Sequence, residues 1–224
     1  MKNKTFELRK KVFLRKLEDA INQNLVDNDV LPVLSIINSF PFAYTTSSCS
    51  GRIMLIDVPI IGKKNEAYRI KRWHDVITFD EFWSIITGYK PKGIVWFRVE
   101  ALIIALAVDS INWASYLLRL ARILGLKESG IRSITPTKHH IILDFTGTEN
   151  LNTPIADRDH MYIDKESGKF LVNLANRLLI RTKKKLNLLK SALNILKEYI
   201  DENSIENPDD IGFRIYGDLF RRNQ

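Results

Sequence analysis

The sequence predicts an α+β fold: a single domain with a mixed, largely antiparallel sheet, flanking helices and a long C-terminal helix, and not a Rossmann-type fold. Three observations carry this. Segments with helical spacing and β-rich segments follow one another without a regular βαβ alternation. No two of the 10 glycines stand two residues apart, so there is no Gly-x-Gly-x-x-Gly loop, and no Walker loop either. From Glu166 to Asp201 apolar residues recur at helical spacing for longer than a globular helix usually runs. With 224 residues, 45% of them hydrophobic, the chain can build a sizeable core. The expected domain spans 1–202 and leaves 203–224 as a polar tail.

The elements follow in order. Phe6 to Leu25 carries Leu8, Val12, Phe13, Leu17, Ala20, Ile21 and Leu25 at helical spacing, with Arg9, Lys10, Lys11, Arg15 and Lys16 on the other face. Asp29 is placed to cap a short second helix through Val33, Leu34, Ile36 and Ile37, with Pro32 tolerated in its first turn. Phe42–Thr46 and Arg52–Val58 read as strands on either side of a small polar loop, and Gly62-Lys63-Lys64-Asn65 as a turn. Ala67 to Ile77 continues as a strand. Thr78 with Glu81 three residues later is a capping box, and the helix it starts stops at Gly88. Ile94 to Val108 is strand-like and long enough to require a bend. Asp109 is expected to cap a helix through Trp113, Leu117, Leu120 and Leu124, ended by Gly125. Ile131–Thr135 and His139–Phe145 form a hairpin around Pro136, and Asn150 to Asp159 is expected to be a loop containing Thr153-Pro154. The final helix carries Leu171, Leu174 and Leu178 in its first half and Leu189, Leu193, Leu196 and Ile200 in its second, and either breaks near Thr182 or projects an end.

Composition narrows the function. Lys plus Arg outnumber Asp plus Glu 34 to 26, a net charge of +8, which suits an anionic partner, nucleic acid first. One cysteine, Cys49, excludes a disulfide framework. The start shows no apolar stretch of a secretory signal, and no apolar run reaches the ~20 residues of a membrane span. The expectation is a cytoplasmic protein with no membrane partner.

The most chemically loaded segment is Thr45-Thr46-Ser47-Ser48-Cys49-Ser50-Gly51-Arg52. Small hydroxyl residues let backbone N–H groups approach a ligand, Gly51 permits positive φ, and the Arg52 fork suits a carboxylate or phosphate. An ordinary polar hairpin loop reads the same way. Cys49 is either a nucleophile or a small buried residue, and no base among His74, His139, His140 and His160 is adjacent to it in sequence. Scattered histidines beside one cysteine match no metal-ligand spacing, so no metal is expected. Arg69, Arg72 and Trp73 on one strand offer phosphate contacts and a stacking ring, or simply a charged sheet edge. Arg177, Arg181 and Lys183 to Lys185 form a basic helix face, solvated or bound to RNA. Glu100, a carboxylate in an apolar stretch, is either the structural partner of an arginine or a site residue.

Thr45–Arg52 resembles the Ser-x-Ser-Ser-Cys-x-Gly-Arg signature of the TYW3/Taw3 family of wybutosine tRNA methyltransferases, with Thr45 where the pattern has Ser. The resemblance runs from about Phe6 to Leu189 and includes Asp29-Val30, Trp73-His74, Thr153-Pro154-Ile155 and Leu171-Val172-Asn173-Leu174-Ala175-Asn176. Glu100-Ala101 departs from the family's Glu-Pro, and Ala105 from a His found in some eukaryotic members. Abundant Ile and Lys suit an archaeal member. The resemblance implies an S-adenosylmethionine-dependent enzyme with a fold of its own, methylating N4 of a tricyclic wyosine precursor beside the anticodon of phenylalanine tRNA. It implies Ser47, Ser48 and His74 as catalytic candidates. Ser47, Ser48, Cys49, Gly51 and Arg52 become cofactor-binding candidates, and Tyr44, Arg69, Arg72, Trp73, Arg181 and Lys184 contacts to the tRNA anticodon loop. A monomer is expected. The alternative is a non-catalytic basic RNA-binding protein.

Overall fold

The computed structural model describes residues 4–59, 67–135, 140–205 and 207–211. In chain order the elements are α1 (Lys4–Asn22), α2 (Leu31–Ser39), β1 (Ala43–Cys49), β2 (Arg52–Val58), β3 (Tyr68–Trp73), α3 (Phe79–Gly88), β4 (Ile94–Glu100), β5 (Ile103–Val108), α4 (Ile111–Ile123), β6 (Gly130–Thr135), β7 (His140–Thr146), β8 (Leu151–Ala156) and α5 (Lys165–Asn203). Helices and antiparallel strands make an α+β fold, and every strand pairing among the described residues is antiparallel. The strands divide between two sheets of four, ordered β1-β5-β7-β6 and β3-β2-β4-β8. The chain clusters into two compact units, one from 1–50, 102–148 and 184–224, the other from 51–101 and 149–183.

The first unit buries one face of the β1-β5-β7-β6 sheet. Ile104, Leu106, Val108, Ile141, Leu143 and Phe145 meet Val33, Leu34 and Ile37 of α2, Trp113, Leu117 and Leu120 of α4, and Leu189, Leu193 and Leu196 of α5. The cap of α4 is Ser110, whose hydroxyl accepts from the Trp113 N–H, and not Asp109 as expected. Ser110 sits in the extended conformation that aims its oxygen at the first turn. Gly125, at φ +82°, turns the chain out of α4, and its carbonyl accepts from the Lys185 ammonium at 2.7 Å. On α1, Phe6 is buried beside Tyr44, whereas Leu8 and Val12, expected in the core, are 65% and 49% exposed. Lys10 is buried instead and donates to the Phe40 carbonyl at the end of α2, where a cation meets the negative end of the helix. Burial pulls its ammonium below the usual lysine range, against the opposing pull of Glu7 and Asp109. Asp29 is not the cap of α2. A short 3-10 turn, Asn28–Val30, precedes that helix, and Asp27 before it accepts from the Ser50 N–H at 2.9 Å. In the expected polar tail, Ile211 is 1% exposed in this core.

The second unit packs Ile53, Leu55, Val95, Phe97 and Val99 against Phe82 and Ile86 of α3 and Val172, Ala175 and Leu179 of α5. The capping box is present: the Thr78 hydroxyl accepts from the Glu81 N–H. Asp57, 2% exposed, accepts from the Tyr89 hydroxyl and from the N–H groups of Lys92 and Gly93 at 2.7 to 2.9 Å. A Cβ at Gly93 would lie 2.2 Å from the Val58 carbonyl oxygen, so only glycine fits. The expected loop over 150–159 is largely strand β8, an edge strand on which Pro154 does not interrupt the pairing with Trp96. The expected bent strand over 94–108 is two strands, broken at Ala101-Leu102 and divided between the two sheets. Helix α5 runs 39 residues without a break, and the Thr182 hydroxyl is satisfied by the Leu178 carbonyl one turn back. The expected turn at Gly62–Asn65, and Pro136 and His139 of the hairpin, lie outside the described residues.

Candidate functional site

The hydroxyl-rich segment is not a loop. Thr45 to Cys49 belong to β1, only Ser50 and Gly51 connect it to β2, and Gly51 turns the chain at φ +85°. A bulge at Thr46 adds one residue opposite β5. Tyr44 faces Ala107, Ser47 faces Ala105 and Cys49 faces Ile103, so these three share one side of the sheet, while Thr45 and Ser48 share the other. Without the bulge Ser47 and Ser48 would exchange sides. Thr45 is committed to Asn38, through its N–H at 2.8 Å and its hydroxyl at 2.9 Å. The Thr46 hydroxyl donates to the Ala105 carbonyl. Ser47 is exposed and Ser48 half-buried.

All four hydroxyl residues from Thr45 to Ser48 line a cleft of about 200 Å³ in the first unit, facing Phe13, Lys16, Leu17 and Ala20 of α1, with Leu25, Val26 and Leu34 completing it. The wall is split between hydroxyls with one ammonium and apolar side chains, which suits a ligand with one polar and one apolar end. Small-molecule pockets run from roughly 300 Å³ upward, so the cleft has room for only part of such a ligand. Tyr44 does not present its ring to a partner. It is fully buried, stacked on Phe13 with centroids 5.3 Å apart, and its hydroxyl shares a 2.7 Å hydrogen bond with His140. Burial pushes its phenol up to about 12.

In the second unit Arg52 stands opposite Glu100 across β2 and β4, and its Nε donates to Glu100 Oε2 at 2.6 Å. Arg52 is thus the arginine partner that the sequence offered for Glu100. Arg69 and Arg72 are exposed on edge strand β3. Trp73 is half-buried against the core of this unit and its indole N–H donates to Glu81 at 2.7 Å, so its ring is tethered to α3. His74 follows β3 and is half-buried. Arg177 and Arg181 are exposed on the part of α5 in this unit, and Lys184 is exposed at the start of the part in the first unit. Sequence reasoning passed over Trp96 and Arg98. Their signal is the alternation Ile94, Trp96, Arg98, Glu100 within β4, which sets one half-exposed face against the buried Val95, Phe97 and Val99. Among the described residues no three His, Cys, Asp or Glu side chains cluster to hold a metal, and no helix is long and apolar enough to cross a membrane.

This antiparallel architecture puts the chain among the α+β proteins that do without a parallel Rossmann sheet. Comparison supplies the particular family. Residues 8–195 match the family described as Methyltransferase TYW3, and the chain belongs to it. A protein of Thermococcus sibiricus named tRNA(Phe) 7-((3-amino-3-carboxypropyl)-4-demethylwyosine(37)-N(4))-methyltransferase is 33% identical over 195 residues, covering 87% of this chain and 98% of its own. A Methanocaldococcus jannaschii protein of the same name is 32% identical, covering 84% and 97%. A solved structure from Pyrococcus horikoshii superposes with a TM-score of 0.79 at 32% identity, over 86% of this chain and 97% of that one. One from Aeropyrum pernix, at 24% identity and a TM-score of 0.62, shares the fold.

Proposed function

We propose that this protein transfers the methyl group of S-adenosylmethionine to N4 of a tricyclic 4-demethylwyosine-type base beside the anticodon of phenylalanine tRNA. The observation that carries the reading is the match to the Methyltransferase TYW3 family over residues 8–195, with relatives named for that reaction aligned over nearly their whole length. The cofactor supplies a methyl group on a sulfonium, open to in-line displacement by a nitrogen. The chain's work is then to align that nitrogen and exclude water. The hydroxyl-lined cleft supports the cofactor assignment. Ser47, Ser48 and Lys16 suit a carboxylate or ribose, and Phe13 and Leu17 suit an apolar end. Cys49 and Gly51 keep the adjoining backbone narrow. In the second unit His74 is the candidate for taking up a proton and Arg52 the candidate for holding an anionic group of cofactor or tRNA. Arg69, Arg72, Arg181 and Lys184, all exposed, contact phosphates. The protein acts in the cytoplasm as a monomer.

The test is incubation with S-adenosylmethionine and phenylalanine tRNA lacking the N4 methyl group, followed by mass spectrometry of the nucleosides. A gain of one methyl group on the tricyclic base is expected. Unchanged nucleosides with tRNA still bound would leave the RNA-binding alternative standing. Binding should weaken with salt by roughly 0.7–0.9 logarithmic units per logarithmic unit for each phosphate contact.

A further inference from the structure

The half-exposed face of β4 in the second unit carries a cation that the fold does not use. Trp96, Arg98 and Glu100 alternate along the strand and so share that face. The Arg98 guanidinium lies 5.7 Å from the centre of the Trp96 ring, which holds it by cation–π attraction. Its Nε is buried and finds no hydrogen-bond acceptor among the described residues. The residues opposite it on the flanking strands are Met54 and Asn152, neither of which is an acid. Glu100, about 7 Å further along the strand, gives Oε2 to Arg52 and keeps a second oxygen. A buried guanidinium N–H without an acceptor is costly in a folded protein, and a bound water, ion or ligand that supplies an acceptor relieves the cost. The planar fork of Arg98 selects a carboxylate. The neighbouring Glu100 oxygen selects an ammonium.

We propose that Arg98 and Glu100 receive an α-amino-acid group, its carboxylate on Arg98 and its ammonium on Glu100. The inference rests on the proposed reaction, which contains this group twice. S-adenosylmethionine ends in one, and a 3-amino-3-carboxypropyl chain on the base carries the other. Trp96 and Arg52 act as positioning residues, Trp96 fixing the Arg98 guanidinium and Arg52 the Glu100 carboxylate.

Two ligand pairs distinguish the sources. Calorimetry compares S-adenosylmethionine with 5′-methylthioadenosine, which lacks the amino-acid end. Methyl-transfer kinetics compare tRNA bearing the aminocarboxypropyl chain with tRNA bearing 4-demethylwyosine alone. Arg98→Gln is expected to weaken only the amino-acid-bearing member of one pair, about ten- to hundredfold, as expected for a charge-assisted contact. The affected pair identifies the source. Arg98→Lys, which keeps the charge and loses the fork, should fall between wild type and Arg98→Gln, and serves alone if Arg98→Gln does not fold. Folded variants that leave both pairs unchanged, or that discriminate within neither pair, overturn the proposal; equal slowing with both tRNAs counts for the cofactor as source only where S-adenosylmethionine is weakened and 5′-methylthioadenosine is not. Absence of transfer by the wild type to either tRNA defeats the functional reading itself, and the calorimetric pair then decides the site.

Discussion

Asn176 grips the backbone of Ile77 with both ends of its amide: Oδ1 accepts from the Ile77 N–H at 2.9 Å and Nδ2 donates to the Ile77 carbonyl at 2.8 Å. The pair fastens α5 to the segment just before α3, and it reproduces for one residue the two bonds that a neighbouring strand would supply. The Leu171–Asn176 block of the sequence therefore ends in a structural clamp.

Asn176→Ala leaves an N–H and a carbonyl of a partly buried segment without partners. The expected loss is about 2–3 kcal/mol of folding stability, read by chemical denaturation. Asn176→Asp keeps the acceptor, loses the donor and should fall between.

Tyr44 gives the pH dependence a defined sign. Its phenol is raised from 10 to about 12, first by burial. A raised folded-state value means that the neutral form is favoured by folding. That contribution is complete below pH 10 and is lost as pH rises from 10 through 12. Tyr89, also raised to about 12 by burial and by its bond to Asp57, behaves the same way. Thermal melts should show falling stability above pH 10. In Tyr44→Phe the alkaline fall should be shallower, with about 1 kcal/mol lost at neutral pH with the His140 hydrogen bond. An alkaline limb identical to wild type would contradict this.

Arg52→Ala removes one partner of a pair whose side chains are 23% and 37% exposed. Water reaches the Glu100 left behind, so the stability cost should stay near 1 kcal/mol. Methyl transfer should drop further, by about tenfold or more in kcat/KM, the size of a lost charge-assisted contact. Melting and transfer measured on one preparation separate the two effects. A large drop in Tm with unchanged specific activity would make Arg52 purely structural.

Cys49→Ser should keep most of the transfer rate. Displacement at a sulfonium needs no enzyme nucleophile, and Cys49 lies half-buried beside Ser47 on the face of a strand. Complete loss of activity in a folded, cofactor-binding variant would revive a covalent mechanism.

Local punctuation was legible in part. Thr78 with Glu81, and Gly125, mark their helix ends because caps and positive φ are decided within a few residues, and Gly88 is the last residue of α3, whereas the caps expected at Asp29 and Asp109 fall on neighbouring residues. Strand partnership was not legible in the same way. Ile94 to Val108 is apolar but for Arg98 and Glu100, and nothing in that run marks Ala101-Leu102 as the place where the chain changes sheets. Pro154 made β8 look like a loop, since a proline is tolerated in a strand only at an edge, and edges are assigned by tertiary pairing. In the candidate site, the hydroxyls from Thr45 to Ser48 stood out by composition. The bulge that sorts them between two faces, and the burial of Tyr44, depend on β5 and α1, which are distant in sequence.

The order of assembly follows from how the chain is threaded. It passes between the two units at residues 50/51, 101/102, 148/149 and 183/184, so neither unit is a continuous stretch. During synthesis β1 emerges before β5, its partner, and the first unit's core waits for Leu186 to Ile200. The core of the second unit waits for Val172 to Leu179. At roughly 5–20 residues per second, a ribosome-bound chain therefore spends most of its synthesis time with apolar strand faces uncovered. Helix α5 closes both cores within its own length, so chains arrested before it should be captured by chaperones or degraded, and a library of C-terminal truncations should show protease resistance arising only once that helix is complete.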